Sequence, residues 1–171
     1  MRYQNPQSGF TLLEVLLYSL IASTLLAGVT VFVSMTLEGN ARQRVITDVE
    51  SEAAAAIERI TQVIRNAEGI TTPVIGATGT TLVLDVVDNA LDPTTIDVSS
   101  GALRIDEGSG SPEALTSNRV IASNLVVSNL TRGASPGTVH ITFTLEASAL
   151  TGRSTLNYSQ TFYASASLRY D

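Results

Sequence analysis

The sequence predicts an α+β protein in which one long N-terminal α-helix packs on an antiparallel β-sheet head. Three observations predict it. Residues 10–37 form a 28-residue run in which Glu14 is the only side chain charged at neutral pH. Beyond Leu37, apolar residues recur at spacings of three and four, the period of one helix face. From about residue 70 onward, short segments rich in β-formers alternate with glycine, proline, serine and asparagine.

The first run is long enough to cross a bilayer. About 20 apolar residues suffice, and 28 helical residues reach roughly 42 Å. An acidic residue at the centre of a membrane helix costs about 2.5–3.5 kcal/mol, so Glu14 needs a reason to be there. A purely local reading is open: an interfacial carboxylate near the cytoplasmic leaflet, hydrated by thinning of the bilayer; were Phe10 a free N-terminus, pairing with that amine on its own helix would be another. A secretory signal peptide would have a shorter apolar region and a small-residue cleavage site. Leu26-Ala27-Gly28 is followed by Val29 where a lipidated cysteine would have to stand, which excludes lipidation. Arg2 precedes the span while Arg42 and Arg44 follow it, so charge asymmetry orients it only weakly.

Gly9-Phe10-Thr11-Leu12-Leu13-Glu14-Val15 (GFTLLEV) resembles the class III signal of type IV prepilins and of the pseudopilins of type II secretion. The resemblance implies a pilin-like fold and a leader, residues 1–9, removed by a prepilin peptidase between Gly9 and Phe10. It implies N-methylation of Phe10 and an assembly role for Glu14, which as fifth residue of the processed chain would meet the Phe10 amine of a neighbouring subunit and set register. The helix dipole favours a carboxylate at that end independently of the resemblance. Many major pilins carry proline at the twenty-second processed position; this chain has Val31, which leans towards a minor pilin or minor pseudopilin. The implied partners are other pilin or pseudopilin subunits, the peptidase and an inner-membrane assembly platform. The implied location is single-pass in the cytoplasmic membrane, N-terminus in the cytoplasm and head exported, and then a filament at the cell surface.

Residues 38–69 read as the amphipathic half of the same helix. Ile46, Val49, Ala53, Ile57, Ile60 and Ile64 form the apolar stripe, with charged residues between them. Ala53 to Ala56 favour helix by propensity. Gly69 is the expected stop, with Pro73 beyond it. If Gly39 and Asn40 do not break it, one helix runs from about Phe10 to Glu68, roughly 88 Å. The stripe is expected to pack on the chain's own sheet, and neighbouring stems are the alternative nearest the membrane.

Residues 70–171 read as the head. Strands are expected at 81–87, 94–98, 103–106, 119–130, 138–145 and 158–168, with a hairpin turn at Ser99-Ser100-Gly101-Ala102 and a flexible loop at Gly108-Ser109-Gly110-Ser111-Pro112. The stretch from Leu115 to Val120, with Asn124-Leu125 and the strand from Val139 to Leu145, loosely resembles the C-terminal part of minor pilins and pseudopilins of the J/W kind.

Chemistry-bearing constellations are sparse. A net charge of −6 with no lysine argues against a phosphate-backbone binder, and no direct nucleic-acid binding is expected. Zero cysteines remove disulfides, zinc-thiolate sites and thiol catalysis. His140, the single histidine, lies in an alternating strand and reads as structural rather than as a base. Asp85, Asp88 and Asp92, with Asn89 and Asp97, are candidates for calcium, but their spacing matches no EF-hand and solvated turn carboxylates are the better reading. Asn129-Leu130-Thr131 and Asn157-Tyr158-Ser159 are sequons. No cofactor and no enzymatic activity are expected. The reading is a minor pilin-like structural subunit. A pseudopilin of secretion or DNA-uptake machinery, or a membrane-tethered adhesin or ligand-binding module, are the alternatives.

Overall fold

The computed structural model describes residues 11–133, 136–148 and 157–169. Helix α1 runs from Leu12 to Asn66 without interruption at Gly39 or Asn40. Two compact units divide the chain, residues 1–41 and residues 42–171. The amphipathic half of α1, expected to begin at residue 38, thus belongs from Arg42 onward to the same unit as the strands.

The first unit, as far as it is described, is the apolar half of α1. Its Ser and Thr side chains bend back onto the helix: Ser23 donates to the Ser19 carbonyl at 2.7 Å, Thr24 to Leu20 at 2.9 Å, Thr30 to Leu26 at 2.9 Å and Ser34 to Thr30 at 3.0 Å. Such back-bonding satisfies a hydroxyl without water, which is what an apolar solvent demands. Large side chains are bare on every side of this helix, among them Leu16, Leu20, Leu25, Val29 and Phe32.

In the second unit α1 presents Val49, Ala53, Ala56, Ile60, Val63 and Ile64 to the core. The stripe predicted from spacing is therefore used by the chain's own strands. Ala56 and Val63 join it, and Ile46 and Ile57 lie at its margins. The helix does not stop at Gly69. It ends at Asn66 and passes directly into β1 (Ala67–Thr72), where Gly69 stands opposite Asp85. Pairing with the sheet ends the helix here, so no glycine C-cap is needed.

Two antiparallel sheets, rather than one, complete the unit. The first has the order β1-β3-β4-β5-β6, with β3 at Leu82–Val86, β4 at Thr94–Ser99, β5 at Ala102–Glu107 and β6 at Glu113–Ala114. The second has the order β2-β7-β8-β9, with β2 at Thr78–Gly79, β7 at Val120–Asn129, β8 at Thr138–Ala147 and β9 at Ser159–Ser167. The six predicted strands are present; β1, β2 and β6 are additions. β2 and β6 are two-residue edge pairings that carry no periodicity to read.

Alternation places Leu82, Leu84, Ile96, Leu103 and Ile105 of one sheet, and Val139, Ile141, Phe143 and Leu145 of the other, in a single core with the helix stripe. Phe143 stacks on its cross-strand partner Phe162 at 5.9 Å. The β4–β5 turn is the expected one, with Ser100 at φ 54° and Gly101 at φ 77°, the left-handed pair that a two-residue hairpin requires. In β7 a bulge between Ser123 and Val126 holds Asn124 at φ 53°. It shifts the phase of the strand, so that Ala122 before it and Leu125 and Val127 after it all point inward.

The helix is also fastened to the β6–β7 connection by polar contacts. Glu52 accepts the Ser117 hydroxyl at 2.6 Å, the Ser117 amide at 3.0 Å and the Arg119 guanidinium at 3.4 Å. Burial pushes the Glu52 carboxyl up, but the two Ser117 bonds and the Arg119 charge outweigh it and leave its pKa below the ordinary value.

Candidate functional site at the start of the helix

Thr11 begins the described chain and caps α1. Its carbonyl accepts the Glu14 and Val15 amides at 3.0 and 3.2 Å, and its hydroxyl accepts the Glu14 amide at 3.3 Å. A threonine oxygen is a good acceptor for these otherwise unpaired first-turn donors. Glu14 follows in the first turn, at the positive end of the helix dipole.

The Glu14 carboxylate has a partner that spacing alone did not single out. Tyr18 lies one turn on and donates its hydroxyl to Glu14 Oε1 at 3.2 Å. The signal was present in the sequence as an i, i+4 pair of an acid and a hydroxyl on one helix face. A hydrogen bond to a charged group contributes about 1.5–3 kcal/mol, comparable to the cost of about 2.5–3.5 kcal/mol for an acid at the centre of a membrane helix, and Glu14 stands at the helix start, where that cost is smaller. Glu14 is half-buried, whereas its helical neighbours are exposed.

Among the described residues, the helix around this pair has no apolar covering of its own. An 18-residue stretch of α1 near the N-terminus has a mean hydropathy of 2.1, and none of it is buried within the chain. Helices that are apolar on all sides are stable in lipid or against other apolar helices, not in water.

Residues 4–30 match the family model described as the prokaryotic N-terminal methylation motif. The chain carries a class III signal. It is the kind of N-terminus borne by type IV prepilins and pseudopilins, and the helix-on-sheet architecture is pilin-like. No curated protein and no solved structure matches the chain. Of the class III signal residues, Glu14 lies in the first turn of an exposed apolar helix; Gly9, Phe10 and the leader 1–9 lie outside the described residues.

The remaining candidates are dispersed over the head. Asp88 accepts the Ala90 amide at 2.9 Å, Asp92 the Val86 amide at 3.4 Å, and Asp97 forms a bidentate pair with Arg104 at 3.0 and 2.8 Å. Asp85 is exposed on β3. Among the described residues no three His, Cys, Asp or Glu side chains are placed to share a metal ion. His140 sits on β8 between hydroxyls, with Nδ1 at 2.8 Å from Ser165 and Nε2 at 3.5 Å from Thr142. Asn129, the acceptor of the first sequon, is buried: its amide nitrogen donates to the Pro73 carbonyl at 2.8 Å and its oxygen accepts from Thr131. A glycan cannot be attached to it in this fold.

Proposed function

We propose that this chain is a minor pilin-like structural subunit, processed by a prepilin peptidase and assembled through its apolar helix into a type IV pilus or a related filament. The observation that carries the proposal is the class III signal running straight into an uncovered apolar helix with one acid, Glu14, in its first turn. Removal of residues 1–9 would create an amine at Phe10, one turn before Glu14. A neighbouring subunit offset along the axis brings such an amine to Glu14 and exchanges the Tyr18 hydroxyl for a full ion pair. The minor assignment draws on Val31 at the position where many major pilins have proline, and a role of the J/W kind on the stretch from Leu115 to Val120 with Asn124-Leu125 and the strand from Val139 to Leu145.

The same reading places the N-terminus in the cytoplasm and the head outside, with no cofactor and no catalytic activity. A pseudopilin of a secretion or DNA-uptake machine uses the same stem chemistry and is the alternative within the class.

Glu14→Leu tests the proposal. The variant should insert and lose its leader normally, since it removes the only charge of the span. It should no longer co-purify with other pilin-like subunits, because loss of one side of a buried ion pair costs about 3–5 kcal/mol, a factor of hundreds or more in association. Undiminished co-purification of a processed, inserted variant would exclude Glu14 as the assembly residue.

A further inference from the structure

The solvent side of β8 and β9 in the second sheet is rich in hydroxyls. Its outward residues include Thr138, Thr142 and Thr144 on β8 and Thr161, Ser165 and Ser167 on β9, paired in register. Cross-strand bonds tie them together: Thr138 to Ser167 at 2.9 Å, Thr144 to Thr161 at 3.0 Å and His140 to Ser165 at 2.8 Å, with Thr78 to Ser128 at 3.0 Å continuing the pattern onto β2 and β7. In the middle stands Tyr163, 66% exposed, its ring 6.3 Å from that of His140 and inclined by 21°. Of the outward residues on β8 and β9, only Glu146, at the end of β8, is an acid or an arginine. The first sheet is the internal contrast, with Asp85, Asp97, Arg104 and Asp106 on its strands, in a chain of 10 basic and 16 acidic residues. β9 is also an edge strand of nine residues without charge or proline, which proteins usually avoid leaving bare.

The β8–β9 part of this face, rich in hydroxyls and nearly free of charge, restricts its partner, and on the β7 side it is bordered by the exposed Ile121 and Val126. An anion finds no cation here to replace its water. A wholly apolar surface would take water from the one O–H in each hydroxyl pair that the cross-strand bond does not use, at about 1–3 kcal/mol for each one left unpaired. A pyranose polymer instead carries neutral hydroxyls that exchange for water on Ser and Thr, each of which keeps hydrogen-bonding capacity beyond its cross-strand bond. Its C–H faces also match an exposed aromatic ring whose hydroxyl stays wet.

We propose that this face binds a neutral pyranose polysaccharide, with Tyr163 as the stacking platform and the surrounding Ser and Thr side chains as hydrogen-bond partners. Binding is a property of the head and is independent of how the stem assembles; only its use at the cell surface rests on the export proposed above.

The full chain is purified in a polyoxyethylene detergent, which has no sugar headgroup to compete, and its retention on cellulose, chitin and amylose particles is measured beside carboxymethyl cellulose. At least one neutral polymer should retain the protein. Tyr163→Ala should weaken that retention at least about tenfold, and Ser165→Arg should weaken it comparably. Raising salt from about 50 mM to about 500 mM should leave it unchanged, since screening acts only on charges. Both residues are exposed, so an unchanged melting temperature of each variant separates lost binding from lost folding. Failure on all three neutral polymers, preference for the carboxymethyl polymer, or retention unaffected by both variants would overturn the proposal. So would a variant that loses co-purification with a pilin-like subunit while keeping its polysaccharide retention, because the face would then be a protein contact.

Discussion

Single residues act here through the partner they are given. Gly9 is the proposed cleavage residue, and a backbone without a Cβ enters a crowded peptidase cleft most easily. Gly9→Val should therefore leave an unprocessed precursor, and intact-mass measurement of the membrane fraction that found residues 1–9 removed would contradict the class III reading. Glu52 is the corresponding residue in the head. Its folded pKa lies below the ordinary 4.5, so its contribution is fully present above that pH and is lost as pH falls through the lowered folded value. Glu52→Gln removes the charge from bonds to Ser117 and Arg119 and should cost about 1–3 kcal/mol at pH 7. The difference between variant and parent should shrink as pH falls below about 4.5. Equal gaps at pH 7 and at pH 3 would show that the carboxylate charge does not hold the helix to the β6–β7 connection.

Elements were readable to different depths, and the reasons are physical. α1 was legible because its two halves carry strong, different patterns, all-round apolar and then one stripe. Its end was not, since Gly69 reads as a stop yet β1 begins at Ala67, and sheet pairing took the place of the cap. The β4–β5 hairpin was legible from Ser100-Gly101, where the turn itself demands positive φ. Its composition marks the loop after β5 only as flexible. In the structure Gly108 has φ 62° and donates its amide to the Pro93 carbonyl at 3.1 Å, and a Cβ there would lie 2.1 Å from the Ala90 carbonyl oxygen. Gly108→Ala should thus destabilise the head by more than about 1 kcal/mol, through both backbone strain and this collision. A chemical-denaturation midpoint unchanged from the parent would show that the loop adapts freely.

For the whole molecule, the helix stripe and both sheets share one core, so the head should not survive without its helix. A fragment beginning at residue 38 keeps every core residue of α1 and should unfold cooperatively as a soluble protein. A fragment beginning at Ala67 uncovers Leu82, Leu84, Ile96, Leu103 and Ile105, all at most 1% exposed in the full chain. It should lose cooperative unfolding and bind hydrophobic dyes. An equally sharp transition at the same temperature would mean that the sheets hold together without the helix.

Periodicity and composition by themselves determined the membrane-length helix, its amphipathic continuation, the six principal strands and the lone acid in the first turn, because each is a local pattern written in consecutive residues. Tertiary structure alone decided how the strands divide into two sheets, the phase shift at Asn124, the Glu52 clamp and the burial of Asn129. The uncharged face around Tyr163 also depends on β8 and β9 lying side by side. Each joins residues distant in sequence through pairing that no local pattern encodes: Glu52 meets Ser117 and Pro73 meets Asn129 only after the chain has folded.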